Sequence, residues 1–104
     1  MSQTMDQMMT HSGSATELLK LLSNQKRLLI LCLLHDGEMS VSELNATLTQ
    51  LSQSALSQHL AQLREANLVK IRREAQTIYY SLTDSKAVKV INLLHELYCQ
   101  EECS

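Results

Sequence analysis

The sequence predicts a mainly α-helical fold with one small β-hairpin, in the order ααααββα, as a winged helix-turn-helix. Three observations predict it. Helical periodicity with start and stop signals recurs four times before residue 67, strict alternation takes over between residues 69 and 82, and a last helical stretch follows. Proline is absent and glycine occurs twice in 104 residues, so little interrupts the helices. A chain of this length forms one domain that buries roughly two-thirds of its unfolded surface. Apolar residues make up 44% but aromatics only 3%, so leucine, isoleucine and valine must fill the core.

Residues 1–13 are polar, dotted with methionine and end in Gly13, which predicts a flexible tail ahead of a folded domain at 14–104. Ser14, Ala15, Thr16 and Glu17 have the spacing of a capping box and open a leucine-rich helix through Leu22. Asn24 suits the cap of a second helix ending at His35, with Gly37 as its left-handed terminator. Ser40 and Glu43 form another capping box, flanked by Met39 and Leu44 at the spacing of a hydrophobic staple, and that helix ends near Leu48. Ser52 caps the fourth helix, Leu51 and Leu56 repeat the staple spacing, and Asn67 suits the left-handed residue that stops it. Val69 and Ile71 then alternate with Lys70 and Arg72, and Ile78, Tyr80 and Leu82 with Tyr79 and Ser81, around a turn at 73–76. The last helix is expected over about residues 84–99, carrying Val88, Ile91, Leu94, Leu97 and Tyr98.

The helix at 52–66 turns Leu56, Leu60 and Leu63 inward at intervals of four and three. Gln53, Ser54, Ser57, Gln58 and Arg64 are left outside, with His59 beside them. Amides and hydroxyls both donate and accept, which suits base edges in a major groove, whereas a merely solvated face favours lysine and glutamate. The adjoining hairpin supplies Lys70, Arg72 and Arg73, with Gln76 at its turn. The net charge of −2 opposes nucleic-acid binding, but its distribution does not. Residues 52–80 hold Arg64, Lys70, Arg72 and Arg73 against Glu65 and Glu74, a local +2 that leaves −4 elsewhere. Double-stranded DNA is the expected partner. A winged helix used only for protein association is the competing reading, which clustered cations disfavour. No nucleophile–base–orienter set, phosphate-cradling glycine loop or carboxylate pair is recognisable, so an enzyme is not expected. No apolar run approaches the ~20 residues of a membrane span and no signal-like start is seen, so a cytoplasmic protein without a membrane partner is expected. Cys32, Cys99 and Cys103 then point to metal binding, redox sensing or burial rather than a disulfide framework.

The helix order, the stretch S-Q-S-A-L-S-Q-H-L-A-Q-L-R and the wing R-R-E-A-Q-T-I-Y-Y resemble the ArsR/SmtB winged-helix repressors over about residues 14–100. The resemblance implies a homodimer paired through its first and last helices, a near-palindromic operator, and an effector that changes DNA affinity. Most such proteins sense metals. One usual site needs a Cys-x-Cys-like pattern where this chain has Met39, Ser40, Val41, Ser42, Glu43 and Leu44. The other needs Asp and His early in the last helix and His later; Asp84 is present, but Lys86 stands in the histidine's place and only His95 follows. Both are broken, so neither metal nor cofactor is expected.

What remains resembles the HlyU, BigR and SqrR branch, whose members sense reactive sulfur or oxidants with two cysteines. The matching residues are Cys32 in L-L-I-L-C-L-L and Cys99 in L-L-H-E-L-Y-C-Q. The resemblance implies that the two lie close within a subunit and are cross-linked by oxidation or persulfide, with Cys103 accessory. Cys32 taken alone reads as a small buried hydrophobe, since leucine neighbours raise a thiol's pKa. His35 follows Cys32 by three residues and His95 precedes Cys99 by four, each within helical reach. An imidazolium there would favour thiolate. The same four side chains could instead hold zinc, or the histidines could simply end helices at a dimer rim; these alternatives stay open.

Overall fold

The computed structural model describes residues 3–99. In chain order it has α1 (Gln3–Leu22), α2 (Gln25–His35), β1 (Met39–Ser40), α3 (Val41–Thr47), α4 (Gln53–Glu65), β2 (Val69–Glu74), β3 (Thr77–Leu82) and α5 (Lys86–Tyr98). The expected helices and hairpin are all present, and β1 is an addition. Two residues are too few to show alternation, so β1 exists only because the outer edge of β3 offers it partners, Met39 opposite Tyr80 and Ser40 opposite Tyr79. The sheet is antiparallel in the order β1-β3-β2.

The N-terminus differs from expectation. α1 begins at Gln3 rather than Ser14, so the segment read as a tail is helical, and Ser14–Glu17 lies in mid-helix instead of forming a cap. No proline interrupts this stretch, Asp6 in the first turn suits the positive helix end, and Thr10 Oγ1 donates back to the Asp6 carbonyl at 3.0 Å. α1 is exposed along nearly its whole length and buries only Leu22. The radius of gyration is 15.6 Å, against about 13 Å for a compact chain of this size, because α1 reaches beyond the body.

The other helix ends follow the sequence signals. Asn24 Oδ1 accepts from the backbone N–H of Lys26 and Arg27 at 3.0 and 3.1 Å. Ser40 and Glu43 form the reciprocal capping box, the Ser40 N–H donating to Glu43 Oε1 at 2.8 Å and the Glu43 N–H to Ser40 Oγ at 3.1 Å. Ser52 Oγ accepts from the Ala55 N–H at 3.1 Å. α2 stops at Gly37, whose φ of +142° is more extended than the left-handed helical region expected but still one that L side chains rarely adopt. α4 stops at Asn67 with φ +66°. There the Leu68 N–H reaches the Leu63 carbonyl and the Asn67 N–H that of Arg64, at 2.9 and 3.0 Å, the double closure of a Schellman motif. Both Leu63 and Leu68 are buried, so the motif also turns the chain into the sheet.

The hairpin keeps the expected alternation and is longer. β2 runs to Glu74, which pairs with Thr77, so the turn is Ala75–Gln76, with Ala75 at φ +55°, rather than the four residues expected. The core is aliphatic: Ile30, Leu31 and Leu34 of α2 meet Leu44, then Leu56, Leu60 and Leu63 of α4, with Leu68, Val69, Ala87 and Ile91. α5 runs from Lys86 to Tyr98, and its end departs from the expected stripe, because Leu97 and Tyr98 are exposed.

Asn67→Ala should destabilise the reduced protein by about 1 kcal/mol, since alanine tolerates the left-handed conformation poorly, while Asn67→Gly stays within a few tenths. Urea unfolding of both variants checks this.

Candidate nucleic-acid interface and thiol pair

A short turn that closes at Ser52 joins α3 to α4, and α4 buries Leu56, Leu60 and Leu63 while presenting its other face outward. On it Gln53, Ser54, Ser57 and Gln58 are exposed, in line with expectation. His59 does not join them. It is half-buried, its Nδ1 is shielded from solvent, and that atom has no hydrogen-bond partner among the described residues. Burial, and then the nearby Arg27 cation, hold its pKa below the ordinary histidine value. Arg27 is fixed by donating from Nε to the Leu21 carbonyl at 2.8 Å and from Nη1 to Gln62 Oε1 at 2.9 Å. His59 is thus a neutral ring on the side of α4 that turns toward α2.

The wing divides its cations between two faces. Opposed residues of an antiparallel pair share a face. Val69, Leu82, Ile71, Tyr80, Arg73 and Ile78 therefore form one face, and Lys70, Ser81, Arg72, Tyr79, Glu74 and Thr77 the other. Tyr80 lines a shallow groove with Ser57, Leu60, Ala61 and Arg64 of α4. Arg73 thus continues the α4 side of the ribbon, and neither it nor Arg64 has an ion pair among the described residues. Lys70 instead lines a cleft with His35, Glu38 and Asp84, on the side of α2 and α5. The clustered cations are therefore split between the two faces, because the two-residue repeat of a strand sends neighbours to opposite sides.

Arg72 lies on that second face and is already engaged. Its Nη2 and Nε donate to the two Glu38 carboxylate oxygens at 2.6 and 3.2 Å, and its Nη1 to Glu74 Oε2 at 2.8 Å. The guanidinium also lies over the Tyr79 ring, 4.6 Å from the centroid. The hydrogen bonds to Glu38 and then Glu74 push Arg72 above the ordinary arginine range, and the bond from Arg72 pulls Glu38 below the ordinary carboxylate value. Arg72 clasps the wing to the segment before β1. Sequence reasoning missed this because Glu38 lies 34 residues away. Gln76 is exposed at the wing turn.

The sensing candidates lie where α2 packs against α5. Cys32 and Cys99 are both unpaired and half-buried. Burial pushes the Cys32 thiol up, and the charges of Cys99 and Asp36 raise it further, so both groups lie within electrostatic reach of it. One helical turn away, the His35 and His95 rings stack, with centroids 4.0 Å apart and planes inclined by 19°. Asp36 Oδ1 lies 3.7 Å from His35 Nδ1 and 3.8 Å from His95 Nε2. The histidines thus face each other, and the carboxylate beside them was not singled out from the sequence. Cys103 falls outside the described residues.

The profile of the bacterial regulatory proteins of the arsR family matches residues 24–70, from the cap of α2 into β2. The chain is 52% identical over 96 residues to the transcriptional activator HlyU of Vibrio cholerae serotype O1, covering 92% of this chain and 88% of that protein. Among solved structures, reduced HlyU from Vibrio cholerae N16961 superposes with a TM-score of 0.82 at 53% identity, covering 90% of this chain and 98% of that one. The transcriptional repressor BigR from Xylella fastidiosa superposes with a TM-score of 0.84 at 38% identity, covering 93% and 95%.

The depressed His59 sets a pH dependence. The unfolded chain takes up this proton below about pH 6.5, while the folded ring resists it. Stability is therefore intact above that pH and falls as the pH drops toward the lower folded value. His59→Gln should flatten this slope in urea unfolding between pH 7.5 and 5.5; an unaltered slope would show His59 to be freely solvated.

Proposed function

Since the chain belongs to the arsR family of bacterial regulatory proteins, as a DNA-binding transcriptional regulator, we propose that a covalent link between Cys32 and Cys99 switches its operator binding. The observation that carries this reading is the placement of two half-buried free thiols on helices that pack against each other, Cys32 in α2 and Cys99 at the end of α5. The working form is a cytosolic homodimer on a near-palindromic operator, its two α4 helices entering successive major grooves about 34 Å apart. Gln53, Ser54, Ser57 and Gln58 read base edges. Arg64, Arg73 and Gln76 hold the DNA backbone. His59 and Arg72, first read as contacts, support α4 and the wing instead.

The dimer is supported by the unpartnered apolar faces of α1 and α5. Met8, Met9 and Leu19 on the first, and Leu93, Leu97 and Tyr98 on the second, are each more than half exposed. Full burial of such a side chain contributes about 1.5–3 kcal/mol, which favours a second copy meeting both helices at once.

Burial disfavours the Cys32 thiolate, so we place the first attack on Cys99. With hydrogen peroxide, the thiols lose two electrons and two protons and the peroxide becomes two waters. With a persulfide, the Cys99 thiolate takes the outer sulfur and releases the donor's thiol. Cys32 then attacks the Cys99 sulfur to give a disulfide and hydrosulfide. Alternatively a second persulfide acts as oxidant, becoming thiol and hydrogen sulfide as a trisulfide closes. Either link ties α2 to α5. Because α2 packs on α4, and α5 builds the proposed interface, the link alters the relative pose of the two α4 helices.

Arg73→Ala should lower the log–log salt slope of operator binding by roughly one unit and weaken random and operator DNA alike. Arg72→Ala should leave that slope nearly unchanged, since its charge is matched by Glu38 and Glu74. Gln58→Ala should reduce operator preference by about 1–3 kcal/mol if it grips a base bidentately. Fluorescence anisotropy across a salt series reads all three, and unchanged binding in Arg73→Ala and Gln58→Ala together would remove α4 and the wing from the interface.

Oxidised protein should release DNA. Cys32→Ser and Cys99→Ser should each keep reduced-state binding, lose the response to persulfide and fail to form the cross-link in intact-mass spectra, with Cys103→Ser responding normally. If Cys32→Ser still releases DNA and Cys103→Ser does not, the working pair is Cys99 with Cys103.

A further inference from the structure

We infer that His35, Asp36 and His95 form a binding site for one divalent transition-metal ion per protomer, of the zinc and cobalt class. His35 Nδ1, Asp36 Oδ1 and His95 Nε2 all lie within 4.8 Å of one another. The carboxylate oxygen stands 3.7 and 3.8 Å from the two nitrogens. These separations are too long for hydrogen bonds, which end near 3.2 Å. They exceed, by up to about half an ångström, the edges of a ligand tetrahedron, about 3.3–3.6 Å for metal–ligand bonds of 2.0–2.2 Å. The stacked rings have nearly parallel planes, so binding must draw the three atoms inward and swing the two imidazoles out of their stack until both nitrogens point at the ion.

The local chemistry also calls for a cation. The Asp36 carboxylate places negative charge beside two imidazole nitrogens, each of which can offer a lone pair to an ion. His35 Nδ1 is shielded from solvent and has no hydrogen-bond partner among the described residues. Two nitrogens and one oxygen favour borderline transition metals over magnesium or calcium, and three protein ligands leave a fourth position for water. The site lies at neither family position described above. It also differs from the two-cysteine, two-histidine set, because Asp36 takes the part given there to the sulfurs. It joins α2 to α5 without oxidation, and it rests on this geometry rather than on the proposed thiol switch.

The test uses full-length reduced protein, stripped with chelator and titrated with zinc by calorimetry and with cobalt by visible absorption. One ion per protomer is expected, with weaker binding in acid, because a nitrogen that holds a proton cannot hold the metal. Losing even an outer-shell partner of a metal ligand lowers affinity 10–100-fold, so D36N and H95Q should each weaken binding by at least about tenfold. Asp36 has 76% of its side chain exposed, so D36N tests the ligand without disturbing the fold. The double variant C32S/C99S should bind as the parent does. Parent-like affinity in both D36N and H95Q, loss of binding in C32S/C99S, or no binding at micromolar metal would each overturn the site.

Discussion

Ile30, Leu31 and Leu34 bury one side of α2 in the centre of the molecule, where it touches α1, α4, α5 and β3. The other parts depend on this packing. It is the floor on which α4 rests with its polar face outward, and its C-terminal turn carries the residues that face α5. An aliphatic core of this density transmits displacement rather than absorbing it, because interiors are close-packed and yield little. The same packing that joins α2 to α5 also joins α2 to α4, so a displacement of α2 at one contact is felt at the other. Chemistry gathers at the end of α2 because Gly37 stops the helix there and leaves Cys32, His35 and Asp36 within about one turn of each other.

The wing illustrates how tertiary contacts decide what a charge is for. Arg72 and Arg73 are neighbours of identical chemistry, yet the pleat sends one to each face. Arg72 meets Glu38, Glu74 and the Tyr79 ring and becomes a clasp. Arg73 shares the face that borders α4 and keeps its charge free of ion pairs among the described residues. Only the latter arrangement lets a phosphate replace water and counterions without first breaking an ion pair.

α1 raises the same question for apolar groups. A 20-residue helix that buries a single leucine has little tertiary packing to hold it, although short isolated helices are marginal in water. Its exposed methionines and Leu19, together with the exposed end of α5, leave an apolar surface whose burial accounts for the helix most simply through a second copy.

The local signals were legible in the sequence because each acts within a few residues. Asn24, Ser40 with Glu43, Ser52 and Asn67 set helix ends through their own side chains or backbone, and the Leu56, Leu60 and Leu63 stripe fixed which face of α4 turns outward. Strand alternation likewise assigned the two wing faces. The start of α1 was misread because Ser14 and Glu17 have cap spacing, while nothing upstream forbids a helix. β1 escaped notice since its reason for existing is the edge of β3, 39 positions on from Ser40 at Tyr79. The role of Arg72, the inward turn of His59 and the meeting of Asp36 with His35 and His95 depend on residues brought together from separate elements. Hydrogen bonding, desolvation and charge act over a few ångströms of space, whatever the distance along the chain, so only the tertiary structure could decide them.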